Sequence, residues 1–558
     1  MPKKPTDQDA YDAALAAVDA FPTFESFDLG EAFAAYTRAM QPATFFQTTG
    51  KLYMDMMGIA AGTSDIEPDA KDWRFKDEAW VKSPAYKRMA QAYLAMSNAI
   101  EDMIPDDLPQ DQKARAEFAA DVFASTIAPT NVLAGNPAAM KRTMETGGQN
   151  LVEGTAAFWR DLFQNEGLPE QVDDSGFEVG KNLATTPGAV VFRTEMFELI
   201  HYKPSTEKVR ETPVVLIPPQ IGRFYFTDLA PGRSFAEYTV SQGLQFFTVS
   251  WRNPSPENRD WGLEEYMVAA LEALEAVREI TGQPKLNVVG FCAGGMLTSM
   301  LMGYLKKRKI ELINNATLCV TMLDFKSEAA LGAFRLPAML SVAKAQSQIT
   351  GIHRGKDLHK VFTWMRPNDL VWNYWVNNYL MGDSPPAFDI LAWNKDSTNL
   401  PAKLHKDFLD LFESNELIEP DAFEINGEKI DLSTIDCEKF VVGAVTDHLT
   451  PWQACYDTVH IMSGKSTFAL SNGGHIAALV NPPGNPKAYH WISDSIKESA
   501  DDWHENAEKT SGSWWESWTK WSNKRTGKKI AAPEHLGSKK YPPLCDAPGT
   551  YVREVVDA

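Results

Sequence analysis

Residues 285–297, KLNVVGFCAGGML, constrain the fold more than any other stretch. A β-branched run ends at Gly290, Cys292 follows two residues later, and two glycines lead into an apolar helical segment. Strand, tight turn and helix, with a nucleophilic side chain at the apex, is the pattern of a nucleophile elbow. Glycines flank the apex because the turn is strained and the chain packs closely on both sides. The rest of the chain from about residue 185 supplies the context. AVVFRTEMFELIHY, TPVVLIPP, LQFFTVSW, ATLCVTML, EKFVVGAV and STFALS read as further strands. Helical segments lie between several of them. In LEEYMVAALEALEAVREITG, Leu263, Met267, Leu271, Leu274, Val277 and Ile280 share a face, and Gly282 is the stop. Strands alternating with helices imply an α/β architecture, a mostly parallel sheet covered on both faces.

The thiol of Cys292 would sit at a helix N-terminus, where negative charge is favoured and backbone amides can face a developing oxyanion. A thiol nucleophile needs a base and an orienting acid. In the chain order nucleophile, acid, histidine, VVGAVTDHLTPW places Asp447 just after a strand, and STFALSNGGHIAAL does the same for His475. Asp324, at the end of CVTMLD, competes for the acid, and His448 competes for the base. The second oxyanion amide should come from the loop after an early strand. VVLIPPQIGRFY offers Ile221, and Ala293 follows the nucleophile. His448 and Arg366 are further candidates for substrate binding. Cysteine in place of serine fits acyl transfer better than hydrolysis. Transfer from a thioester donor to Cys292 makes a second thioester of similar energy, so the acyl group stays activated for attack by a hydroxyl. Such chemistry must exclude water.

Residues 1–180 read as a mainly helical domain, with apolar spacing of three and four in DAYDAALAAVDAF and AYKRMAQAYLAMSNAIEDMI. Residues 181–558 read as the catalytic domain. The span of about 325–437 is too long for a crossover and reads as an inserted lid, rich in Trp, Asn and Tyr. Trp514, Trp518 and Trp521 fall on one helical face, a packing stripe. Lys306-Lys307-Arg308-Lys309 reads as a helix end complementing the macrodipole, or as a patch for an anionic ligand. A net charge of −20 argues against nucleic acid as a general partner. Five cysteines without close spacing suggest a reduced, cytoplasmic protein without a disulfide framework. No metal site, secretory signal or transmembrane segment is expected.

GFCAGG, VSWRNP, RPNDLVWNYWVNNYL, PPAFDILAWNKDSTNLP, DHLTPW, GGHIAALVNPP and GSWW together resemble the polyhydroxyalkanoate synthases. DWRFKDEAW, NPAAMKRTMETGG and the tail LGSKKYPPLCDAPGTYV resemble the same family, so the similarity spans nearly the whole chain. The resemblance, most like class I, implies an α/β-hydrolase fold catalytic domain with an inserted lid and an N-terminal helical domain suspected in dimerisation or granule association. It implies (R)-3-hydroxyacyl-CoA as substrate, 3-hydroxybutyryl-CoA foremost, with polyester and free CoA as products. It implies no cofactor beyond the coenzyme A of the substrate, a homodimer, and a site of action at the granule surface, where the polyester chain grows. The family's nucleophile, acid and base fall on Cys292, Asp447 and His475. A cysteine-dependent thioesterase or depolymerase on the same scaffold is the alternative. One departure is clear. After Pro218-Pro219 and one further residue the family commonly shows Ile-Asn-Lys, whereas this chain has Ile221-Gly222-Arg223.

Overall fold

Apolar spacing in the first third of the chain produces a run of helices: α1 (Pro42–Ala61), α2 (Pro84–Asp102), α3 (Gln110–Thr126), α4 (Pro137–Glu145) and α5 (Gln149–Gln164). The computed structural model describes residues 36–37, 41–326 and 337–556. The helix expected at DAYDAALAAVDAF and part of the expected lid lie outside the described residues. Two compact units are present. The helical unit extends to Asp173 and also takes in His359–Phe388 from the insertion. Specific polar contacts hold that segment. Trp375 Nε1 donates to the Asn131 carbonyl at 3.0 Å, and Asn150 Nδ2 donates to the Leu380 carbonyl at 2.7 Å. The Tyr379 hydroxyl donates to buried Asp161 at 3.0 Å. Gly154 on α5 allows the close approach, since a Cβ there would collide with the Tyr379 carbonyl.

The second unit holds an eleven-stranded sheet. Its strands are β1 (Gly188–Arg193), β2 (Phe197–Tyr202), β3 (Val214–Ile217), β4 (Phe246–Trp251), β5 (Leu286–Phe291), β6 (Ile313–Cys319), β7 (Glu438–Ala444), β8 (Ser466–Ser471), β9 (Tyr489–Ser493), β10 (Glu508–Ser511) and β11 (Cys545–Asp546). The spatial order is β10-β9-β8-β7-β6-β5-β3-β4-β2-β1-β11. From β8 through β4 the strands run parallel, and both flanks are antiparallel. Strand β3 lies between β4 and β5, so the direction of winding reverses there. Ligand sites in open α/β sheets form at the carboxyl ends of strands around such a switch. This is the layout of an α/β-hydrolase.

Buried runs explain the parallel core. Strands β3, β4 and β5 of that core are buried at every position, as is β2 on its antiparallel flank. Helix α6 (Leu263–Thr281) buries Leu263, Met267, Leu274 and Val277 and ends at Gly282 with φ 67°, where only glycine avoids a Cβ penalty. Two more helices serve the site: α7 (Ala293–Lys307) and α8 (His475–Leu479). Trp514, Trp515, Trp518 and Trp521, all buried, lie on α9 (Trp514–Asn523) and pack into the cluster that includes Phe235, Phe291 and Phe440. Trp518 Nε1 donates to the Thr317 hydroxyl of β6 at 2.9 Å. The expected packing stripe is therefore core.

The basic run at the end of α7 meets acidic partners from residues 421–436. Lys306 pairs with Asp436 at 2.7 Å, Lys307 with Asp421 at 2.9 Å and Arg308 with Glu428 at 3.0 Å. The charges thus fasten the end of α7 to the chain that leads into β7. Among the described residues, no helix is long and apolar enough to cross a membrane.

Candidate active site

Strand β5 delivers Cys292 to its place. In register, Phe291 faces Cys319 of β6, and the Cys292 amide donates to the Cys319 carbonyl at 2.9 Å. The ladder therefore fixes where the turn begins. Cys292 adopts φ 51°, ψ −122°, and α7 starts at Ala293. A non-glycine residue held there stores about 1–3 kcal/mol of strain. Bonds from the Gly295 and Met296 amides to the Cys292 carbonyl, at 2.8 and 3.2 Å, close the first helical turn and help hold it. Sterics then demand the glycines. A Cβ on Gly290 would strike Gly295 and Thr298, one on Gly294 the Ile217 carbonyl, and one on Gly295 the Thr321 side chain. The pattern Gly-x-Cys-x-Gly-Gly follows from chain crowding around one bent residue.

Asp447 follows β7, and His475 opens α8 after β8. Both are buried, and His475 Nδ1 lies 2.6 Å from Asp447 Oδ2. Asp447 is held from several sides. Its Oδ1 accepts from the Leu449 and Thr450 amides, both at 2.9 Å, and its Oδ2 accepts from the Thr450 hydroxyl at 2.8 Å. With Nδ1–H directed to the carboxylate, Nε2 is the ring nitrogen left for Cys292, which adds to the raised proton affinity of His475. Burial alone would lower the proton affinity of His475. The Asp447 carboxylate and Cys292 outweigh it and raise the imidazole pKa to about 10. Burial pushes Asp447 the other way, but the His475 imidazole and Thr450 hold it below the usual carboxylate range. Asp324 accepts from Asn415 Nδ2 at 3.0 Å, and the carboxylate bonded to the His475 imidazole is that of Asp447.

Helix α8 is anchored by Trp514, whose Nε1 donates to the Ala478 carbonyl at 2.7 Å. Thr450 is the contributor that sequence reasoning missed; its hydroxyl also sits 3.2 Å from His475 Nδ1. Its only signal was a hydroxyl three residues after the acid. His448 is half-buried in the same turn as Asp447, and the imidazole bonded to Asp447 is that of His475. Arg366 belongs to the helical unit, where it pairs with Asp369.

The loop after β3 carries Ile221. Beside it, Gly222 adopts φ 83° and its amide donates to the Thr398 hydroxyl at 2.9 Å. A Cβ at Gly222 would come within 3.0 Å of the Trp393 ring. Glycine thus serves the left-handed backbone and makes room for that indole at once. Ala293, the first residue of α7, has an amide with no intrahelical acceptor. Ile221 lies in the loop after β3, the strand that pairs with β5, and Ala293 opens the helix after β5.

Residues 71–239 match the family described as Poly-beta-hydroxybutyrate polymerase (PhaC) N-terminus, and residues 213–482 match the alpha/beta hydrolase fold. Poly(3-hydroxyalkanoate) polymerase 2 of Ectopseudomonas oleovorans is 45% identical over 496 residues, covering 88% of either chain. Poly(3-hydroxyalkanoate) polymerase 1 of the same organism is 44% identical over 502 residues, covering 90% of either chain. The polymerase subunit PhaC of Cupriavidus necator is 37% identical over 504 residues, covering 89% of this chain and 85% of its own. Identity of this extent, across both units, shows that the chain belongs to the poly(3-hydroxyalkanoate) polymerase family.

Proposed function

We propose that this protein polymerises (R)-3-hydroxyacyl-CoA into polyester with release of CoA, through an acyl thioester on Cys292. The observation that carries the reading is the Asp447–His475 pair at 2.6 Å, in a chain that presents Cys292 at the bend between β5 and α7. His475 Nε2 takes the thiol proton, and Sγ adds to the thioester carbonyl. The amides of Ala293 and Ile221 receive the oxyanion. The carbon–sulfur bond to CoA breaks, and the proton on His475 leaves with CoA as its thiol. An incoming hydroxyl then gives its proton to His475 and attacks the acyl-Cys292 carbonyl, which frees Cys292 and forms an ester. No cofactor is needed beyond the CoA of the substrate. His448 and Arg366 are proposed to contact substrate. The protein works as a homodimer at the surface of a cytoplasmic polyester granule, with the helical unit contributing to that association.

The hydrolase alternative finds no support among the relatives, which are named as polymerases. The class I, 3-hydroxybutyryl expectation is weakened by the higher identity to the two Ectopseudomonas polymerases than to the Cupriavidus subunit. Purified protein is given 3-hydroxybutyryl-CoA or 3-hydroxydecanoyl-CoA, and CoA, free acid and insoluble product are measured. CoA release with insoluble polyester is expected, and the faster substrate fixes the acyl preference. Free acid in step with CoA, without polymer, would overturn the proposal.

A further inference from the structure

The loop that carries Ile221 is braced from a distant part of the chain. The Thr398 hydroxyl accepts from the Gly222 amide at 2.9 Å and donates to the Gln220 carbonyl at 3.4 Å. One side chain thus grips the residues on both sides of Ile221. The same stretch of the insertion holds the loop's far end. Trp393 Nε1 donates to the Arg223 carbonyl at 2.8 Å, and Asp396 pairs with Arg223 Nε at 2.6 Å while accepting from the Tyr225 hydroxyl at 3.0 Å. The Arg223 guanidinium also reaches the Glu554 carbonyl at 2.7 Å. The Gln220 side chain gives no comparable internal brace: its amide is buried and makes no hydrogen bond among the described residues.

From this geometry we infer that Thr398 is a positioning residue for the oxyanion site, acting through the backbone on either side of Ile221. The inference rests on the acyl-Cys292 mechanism above. An oxyanion donor contributes only if its amide points at the developing charge, and loss of one donor costs about 10²–10³ in kcat. Thr398 makes no contact with reacting atoms in this mechanism. Its removal should misaim the Ile221 amide and leave the thiol and its base as they are.

The test compares wild type, Thr398→Val and Thr398→Ser in two assays, 3-hydroxyacyl-CoA turnover and alkylation of Cys292 by iodoacetamide. Alkylation displaces iodide and forms no oxyanion, so it reports the thiol and His475 alone. Thr398→Val is expected to lower kcat by roughly 10- to 100-fold, part of the full donor loss. KM and the alkylation rate should stay near wild type, and Thr398→Ser should restore kcat. Asp396→Asn, which leaves Thr398 in place, should give a smaller fall of the same kind and stands in if the valine variant does not fold. Unchanged kcat in Thr398→Val, or equal losses in turnover and alkylation, would overturn the inference. Full turnover by Cys292→Ala would instead sink the underlying mechanism and is read separately.

Discussion

Replacing Thr450 by valine tests the buried charge pair most directly. The change keeps shape and removes one hydroxyl. In the native site, Asp447 accepts from the Leu449 amide, the Thr450 amide, the Thr450 hydroxyl and His475 Nδ1. The variant keeps all but the hydroxyl. A hydrogen bond to a charged group is worth about 1.5–3 kcal/mol, and a buried carboxylate has no water to replace it. Stability should therefore fall by about 1.5–3 kcal/mol at neutral pH. If the whole amount were expressed in the transition state, kcat would fall roughly 10- to 150-fold. Asp447 keeps both amide donors and its bond to His475, so the loss should lie near tenfold, the lower end of that range.

Urea unfolding followed by tryptophan fluorescence reads the stability, and CoA release reads the rate. Thr450→Ser keeps the hydroxyl and should recover most of both. A Thr450→Val variant within twofold in kcat and within about 0.5 kcal/mol in stability would refute the reasoning, because that is the size of change expected at an unremarkable surface site.

His475→Gln should lose about 10²–10⁴ in kcat, the usual worth of a positioned base, whereas His448→Gln should change it far less; the reverse order would reassign the base. Cys292→Ser should stay folded by circular dichroism and lose nearly all polymerisation, and mass spectrometry of wild type trapped during turnover should find an acyl adduct on Cys292. Asp447→Asn removes the charge that holds His475 up while burial remains, so the imidazole, followed by NMR, should titrate well below its value of about 10. A raised histidine pKa stabilises fully below its ordinary 6.5 and ceases to do so as pH rises through about 10, while Asp447 contributes only above its ordinary 3.8. The stability gap between wild type and Asp447→Asn should therefore be widest between those two ordinary values and close toward pH 10. Trp518→Ala should cost about 3–5 kcal/mol, since it empties a fully buried site and orphans the Thr317 hydroxyl; an unchanged denaturation midpoint would contradict that.

What could be read in the sequence had a local physical cause. Gly290, Gly294 and Gly295 announce the elbow because each meets another atom where a side chain would begin. Strand β3 was visible because VVLI is buried at every position and so reads as an unbroken apolar run. Strands β9 and β10 lie on the antiparallel flank and are largely half-buried or exposed, which leaves YHWIS and EKTS without a strong pattern. Long-range partners were out of reach. Thr398 is 176 residues from Gly222, and nothing near either residue signals the other. The basic run had two local readings, and acids more than a hundred residues away decided its role. The division of the insertion between two units is likewise a matter of tertiary contacts, written in Trp375, Asn150 and Tyr379 rather than in any periodicity.

In the proposed mechanism the raised basicity of His475 matters most in the second half of the cycle. A thiol gives up its proton readily, and an ordinary imidazole would serve for acylation. The incoming hydroxyl is a far weaker acid, and a base assists its attack in proportion to its own proton affinity. Asp447, bonded to Nδ1, supplies that affinity through a site whose burial would otherwise remove it. The same basicity would activate a water molecule equally well, so base strength cannot choose between polymer and free acid. The choice must come from what reaches the acyl-Cys292 carbonyl, and therefore from the walls of the site rather than its catalytic residues. Trp393 lies over Gly222 in the loop beside that carbonyl's expected oxyanion site, and it belongs to the same apolar cluster against which Cys292 packs. Apolar walls of this kind exclude water and tolerate a growing hydrocarbon-rich chain.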